Sequence, residues 1–134
     1  MGGSAVTTDW TISVGDARAE PTVEAQDGGT YRAAPGEVFV VVEATFVNAH
    51  PGTEASLSSA DASLVCEDQT VRKVAGLDDG RGFCRVCAFD IGTDQKRVRW
   101  SFLFRMEQGS VGQAFRFVYG DAEPIPFTIP ATSG

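Results

Sequence analysis

The chain has 134 residues and a mass of 14.2 kDa, with a formal charge of −7, a pI near 4.5, 43% apolar and 22% charged residues. That is one ordinary globular domain, large enough to fold on its own core, and neither a disordered chain nor one with an apolar run long enough to cross a bilayer as a helix. The acidic surplus argues against nucleic acid as the main partner, because phosphate binding needs clustered positive charge.

Nine of the eleven basic residues are Arg, only Lys73 and Lys96 are Lys, and Asn48 is the single Asn. This bias fits a high-GC source; an acidic surface poor in Lys suits a halophile, and an actinobacterial surface protein would look similar. Met1-Gly2-Gly3-Ser4 lacks the basic and apolar regions of a signal peptide. Residues 1–8 read as an added start or linker tail, 9–130 as one domain and 131–134 as a tail.

Strand signals then dominate. Trp10, Ile12 and Val14 alternate with Thr11 and Ser13, the pattern of a half-buried strand. Residues 17–29 are polar and hold Pro21 and Gly28-Gly29, so a crossing loop or an edge is expected. Tyr31 to Ala34 reads as a short edge strand before a turn at Pro35-Gly36.

The strongest element is 37–48. Val38, Val40, Val42, Ala44 and Phe46 share one parity; Phe39, Val41 and Val47 share the other with Glu37, Glu43 and Thr45. Apolar residues on both faces mark a central strand. His50-Pro51-Gly52 ends it, and the Ser, Thr and Gly of 50–63 suggest a long loop. Leu57 and the set Ala62, Leu64 and Cys66 suggest one or two shorter strands, and 69–74 another. Residues 76–82, with Asp78-Asp79-Gly80, read as a turn.

Phe83, Cys87 and Phe89 alternate on one face, and Gly92-Thr93-Asp94 reads as a turn. Residues 96–106 alternate most clearly, with Val98, Trp100, Phe102, Phe104 and Met106 inward and Arg97, Arg99, Ser101 and Arg105 outward. Phe115, Phe117 and Tyr119 line the next strand. Ile125, Phe127 and Ile129 alternate with Pro124, Pro126 and Pro130, which confines the last strand to an edge, since Pro donates no ladder hydrogen bond.

No window offers a helical face of any length. Many short strands in one domain predict an all-β fold, an immunoglobulin-like antiparallel β-sandwich of about seven to nine strands, with a closed barrel as second choice. Trp10, Phe46, Trp100, Phe102, Phe104, Phe115 and Phe117 are expected to supply most of its core.

The order of these pieces resembles a known group. Trp10-x-Ile12-x-Val14 comes first. A Gly-led strand follows from Gly36 through Phe46 to Asn48, then a Leu-containing strand and acidic turn at 64–68, and late Phe102-x-Phe104-x-Met106. The arrangement is similar to the telokin-like, immunoglobulin-fold domain of unknown function of bacterial and archaeal lipoproteins and secreted proteins. The resemblance covers about residues 9–120. It departs at Met106, where the family usually has Pro, and in the cysteines near Cys84. It implies a fold and an exported, tethered location, and carries no catalytic residues.

Cys66, Cys84 and Cys87 are the most informative residues for chemistry. A bridge from Cys66 to Cys84 or Cys87 would stabilise by about 3 kcal/mol and suits an exported protein. Three reduced, buried thiols are a second reading. A metal or redox site is a third, with Cys84-x-x-Cys87 and His50 completing a zinc set. On a regular strand, however, positions three apart point to opposite faces.

His50, flanked by Pro51 and Gly52, reads first as a solvated loop residue, and no nucleophile-elbow motif is present. Asp78 and Asp79, with Asp90 and Asp94, are loop carboxylates of the kind that bind calcium, though they match no EF-hand spacing. Arg97, Arg99 and Arg105, extended by Arg116, form a basic stripe that reads either as a polar outer face or as a patch for an acidic partner.

The expectation is a non-enzymatic module, without cofactor, that binds a protein or small ligand at the cell surface. Membrane contact is expected only through a lipid anchor upstream of residue 1. A metal-binding or thiol redox module, and a structural domain of an envelope assembly, are the alternatives.

Overall fold

Two opposed requirements shape the chain: strands with one apolar face must pack in pairs of sheets, and the central strand, apolar on both faces, needs cover on each side. The computed structural model describes residues 4–7, 10–50, 55–58, 61–67, 69–78, 82–84, 90–93, 96–110, 114–120 and 122–128. Among them are thirteen strands and a short 3-10 turn at Gln108–Ser110.

The larger sheet is built on β5 (Glu37–Asn48). On one side it pairs antiparallel with β2 (Trp10–Glu20), on the other with β11 (Arg97–Glu107). Outside these lie β1 (Ser4–Val6) against β2 and β9 (Gly76–Asp78) against β11, giving the order β1-β2-β5-β11-β9. The second sheet has the order β13-β12-β7-β8, from Ile125–Thr128, Ala114–Tyr119, Ala62–Cys66 and Val71–Lys73. The two sheets hold nine strands, the antiparallel sandwich expected. Two smaller pairs complete the fold: β6 (Ala55–Ser58) with β10 (Asp90–Thr93), and β3 (Thr22–Glu24) with β4 (Thr30–Arg32).

The inner faces meet through aromatic rings. Phe46 lies edge-on to Trp10, Trp100, Phe102 and Tyr119, with centroids 6.2, 5.9, 6.2 and 5.0 Å away. Phe102 meets Phe117 of the opposite sheet at 5.4 Å. All seven expected core aromatics are buried. Burial alone is worth roughly 1.5–3 kcal/mol for each large side chain. Leu57 joins this core, and the Tyr119 hydroxyl accepts the Ser58 N–H at 2.9 Å, tying β6 to the second sheet.

A second, smaller core sits on the outer face of the larger sheet. Phe39, Val41 and Leu103 point away from the sandwich and are covered by Val23, Phe83, Tyr31 and Ala33. The β3–β4 hairpin is therefore the lid that the other apolar face of β5 required. Residues 82–84 stitch this lid to the sheet: Leu77 bridges Cys84 antiparallel, and Ala25 bridges Phe83 parallel.

Several expectations change. β2 runs on to Glu20 and β3 follows, where a polar crossing loop or an edge was expected. Gly15 is a bulge between Val14 and Asp16, and it resets the phase so that Ala17 and Ala19 turn inward. Gly76–Asp78 is a strand, held by buried Leu77, rather than turn. Gly92 and Thr93 belong to β10 rather than to a turn, and β6 is the short strand expected at Leu57, inside the stretch that also read as a long loop. Ser4–Val6, within the expected linker tail, pairs with β2. β13 lies at a sheet edge, as its prolines require, with Pro126 opposite Arg116. The expected strand positions Cys87 and Phe89, and the 131–134 tail, lie outside the described residues.

Candidate functional site

The cysteines separate. Cys66 sits on the inner face of β7, opposite Phe115, buried in the main core and outside any disulfide. Cys84 is disulfide-bonded and flanks β9, in the other sheet. The expected bridge from Cys66 to Cys84 or Cys87 is therefore not formed, because Cys66 packs in the core from the second sheet and is not disulfide-bonded. Cys87 lies outside the described residues. His50 is exposed beyond the end of β5, its N–H donating to Asn48 Oδ1 at 2.7 Å. Among the described residues, no three His, Cys, Asp or Glu gather as a metal site.

Asp78 closes β9, and its Oδ1 accepts the Gly82 N–H at 3.0 Å. That bond shapes the return of the chain toward β3. Asp90 begins β10, in a different sheet; Asp79 and Asp94 lie outside the described residues.

The arginine stripe is real on β11 but largely answered. Arg99 pairs with Glu43, and Arg105 Nη2 reaches Glu37 Oε1 at 3.1 Å, both carboxylates on neighbouring β5. Arg97 is exposed opposite Val47. Arg116 does not extend the stripe: it stands on β12 of the other sheet and donates to Gln69 Oε1 at 3.0 Å. The outward parity of Glu37 and Glu43 was the sequence signal for this pairing.

A cleft of about 580 Å³ opens where β2 turns into β3, beside the Gly82–Cys84 stitch. Val23, Ala25 and Phe83 give it an apolar floor; Arg18, Glu20, Glu24 and Asp78 give it a charged rim. Arg18 is shared between Asp16 at 3.4 Å and Glu20 at 3.1 Å. The charged lining residues are one arginine, Arg18, and three carboxylates, Glu20, Glu24 and Asp78, so their formal charge is negative. The volume falls within the range of small-ligand sites, and the lining surface is more polar than apolar. Of these residues, only Asp78 was singled out from the sequence. Phe83 was expected on a strand and Gly82 in a turn; the others fell in the stretch read as a crossing loop or an edge, and the signal that could have found them is the resumed alternation of Ala17, Ala19, Val23 and Ala25.

No protein-family model matches the chain, and no curated protein matches it. Three solved structures resemble it in fold. An uncharacterised β-sandwich protein from Clostridium difficile 630 is 13% identical, with a TM-score of 0.60, over 92% of this chain and 89% of that one. A conserved hypothetical protein from Bacillus anthracis is 16% identical, with a TM-score of 0.66, over 92% of each chain. A candidate lipoprotein from Bacillus subtilis is 14% identical, with a TM-score of 0.55, over 98% of this chain and 39% of that one. At these identities the likeness is one of fold: a β-sandwich shared with proteins of uncharacterised function.

Proposed function

We propose that the protein is a non-enzymatic, exported β-sandwich module that binds a ligand or partner at the cell surface, and that the β2–β3 cleft is its binding site. The cleft itself carries this reading: an apolar floor of Val23, Ala25 and Phe83 beneath a rim of Glu20, Glu24 and Asp78. A cationic group on an apolar stem, such as an amine-bearing side chain of a partner, matches that combination. The stripe of Arg97, Arg99 and Arg105 is the weaker surface, because Arg99 and Arg105 already face carboxylates. Export is supported by the candidate lipoprotein among the similar structures and by the disulfide at Cys84, which suits an oxidising compartment. The telokin-like immunoglobulin subtype belongs to the same reading and rests on the strand motifs.

The test is an amide NMR titration with agmatine and with an N-acetyl-lysine amide, each against sodium chloride at matched ionic strength. Saturable shifts are expected at Glu20, Glu24, Ala25 and Phe83, weakened in E24Q. Shifts no larger than those from sodium chloride would overturn the assignment. A thiol redox role is the second reading, favoured by the same disulfide; a reduction potential below about −300 mV, the range of inert structural bridges, would remove it.

A further inference from the structure

A separate cleft of about 390 Å³ lies at the open side of the sandwich, where the chain leaves β8 of one sheet for β9 of the other. Its wall is formed by residues 71–75 together with Glu37 and Arg105. The pairing register explains the charge found there. Ile125 pairs with Phe117, Phe117 with Leu64, and Leu64 with Arg72. The first three are buried in the core. The fourth position of this inward row, at the sheet's edge, is an arginine where an apolar side chain would finish the core.

Arg72 is half-buried, and its Nε is sealed from solvent without a hydrogen-bond partner. A buried donor left unsatisfied is disfavoured unless something supplies an acceptor. Lys73, beside it, is exposed and makes no ion pair among the described residues. Arg105 of β11 lines the cleft as well, holding Glu37 at 3.1 Å. Among the described residues lining the cleft, three cations stand against one carboxylate, on a chain whose net charge is −7. Such a local reversal of sign concentrates anions at the cleft.

We propose that this cleft binds a small oxyanion of the phosphate class, with Arg72 as its anchor and Lys73 and Arg105 as flanking charges. The planar guanidinium offers paired donors that match phosphate oxygens, and Lys73 adds a mobile point charge. Arg105 is positioned to hold the anion with one edge while retaining Glu37 with the other. This assignment is independent of the β2–β3 cleft and stands or falls without it.

The experiment follows the arginine Nε–H resonances of the full chain by ¹H–¹⁵N NMR during titration with inorganic phosphate, against sodium chloride at matched ionic strength. Arg72 is expected to shift saturably, and R72M to lose the response while remaining folded, since Met completes the apolar row. The K73A/R105A double variant changes two exposed side chains, so the fold is kept, and it is expected to weaken phosphate binding by about fivefold or more. Vesicles of phosphatidylglycerol, compared with phosphatidylcholine, separate the sources of the phosphate. Binding to them that is lost in R72M assigns a lipid headgroup; a response to inorganic phosphate alone assigns the free ion. No saturable shift with either probe, or a shift unchanged in both variants, would overturn the proposal.

Discussion

Gly82 is the position where one added methyl should do most damage beside the β2–β3 cleft. Its φ is +99°, a region L side chains rarely adopt, and a Cβ there would meet Ala25 O, Gln26 Cα and Gln26 N, each at 3.0 Å. Those atoms are backbone and are held in place. Gln26 N donates to Phe83 O at 2.8 Å, Ala25 N to Gly29 O at 2.9 Å, and Gly28 N to Ala25 O at 3.0 Å. G82A therefore combines backbone strain of about 1–3 kcal/mol with either a close contact or a broken hydrogen bond of about 0.5–1.5 kcal/mol. A total near 3 kcal/mol corresponds to a drop in melting temperature of about 10 °C for a chain of this length. Two other glycines serve as controls. Gly36 has φ +80° with nothing near its would-be Cβ, and Gly109 has neither a positive φ nor, among the described residues, an atom within 4 Å of its would-be Cβ. G36A should show the strain alone and G109A almost nothing. The assay is thermal melting with amide exchange, in which Gln26 and Phe83 should lose protection first in G82A. A G82A melting temperature no lower than that of G36A would refute the reasoning, because the contact with the hairpin would then cost nothing.

The two cores should respond differently to truncation. F46A removes a ring packed edge-on against four others and is expected to cost about 3–5 kcal/mol; F39A, under the β3–β4 hairpin, should cost about 2–3 kcal/mol because the hairpin can settle into the space. Equal losses in denaturant melts would mean that the hairpin is no more yielding than the sandwich. Alkylation without reduction is expected to label one thiol, Cys66, and only after denaturation, since Cys66 is buried and outside any disulfide. With three cysteines in the chain, a non-reducing tryptic digest, which cuts after Arg81, Arg85 and Lys96, should keep peptides 82–85 and 86–96 joined. Recovery of Cys66 in a linked peptide would contradict its place outside any disulfide.

The main sheet was legible where alternation was unbroken. β5 has the bounds expected from its two apolar parities, and the five inward residues of β11 are all buried. Proline placed β13 at an edge for a local chemical reason that tertiary packing could not override. The cleft was not legible, because the signal leading to it passes through the Gly15 bulge. A period-2 reading carried across Gly15 turns Ala17 and Ala19 outward and leaves 17–29 looking like loop. The pairing register also supplies a test. Val14 faces Ala44 and Asp16 faces Glu43, so Gly15 is the one residue without a counterpart on β5. Deleting Gly15 leaves Val14 inward, Asp16 outward and Ala17 inward, a regular strand with its core face intact. Deleting Arg18 instead turns Ala19 outward and drives Glu20 toward the core, where an unpaired carboxylate is strongly disfavoured. The Gly15 deletion should therefore fold, with a loss under about 2 kcal/mol for the altered twist, while the Arg18 deletion should lose about 4 kcal/mol or more. Denaturant melts of the two deletions decide it. Equal tolerance would mean that the register between β2 and β5 slides freely, and the cleft beyond it would then have no fixed wall.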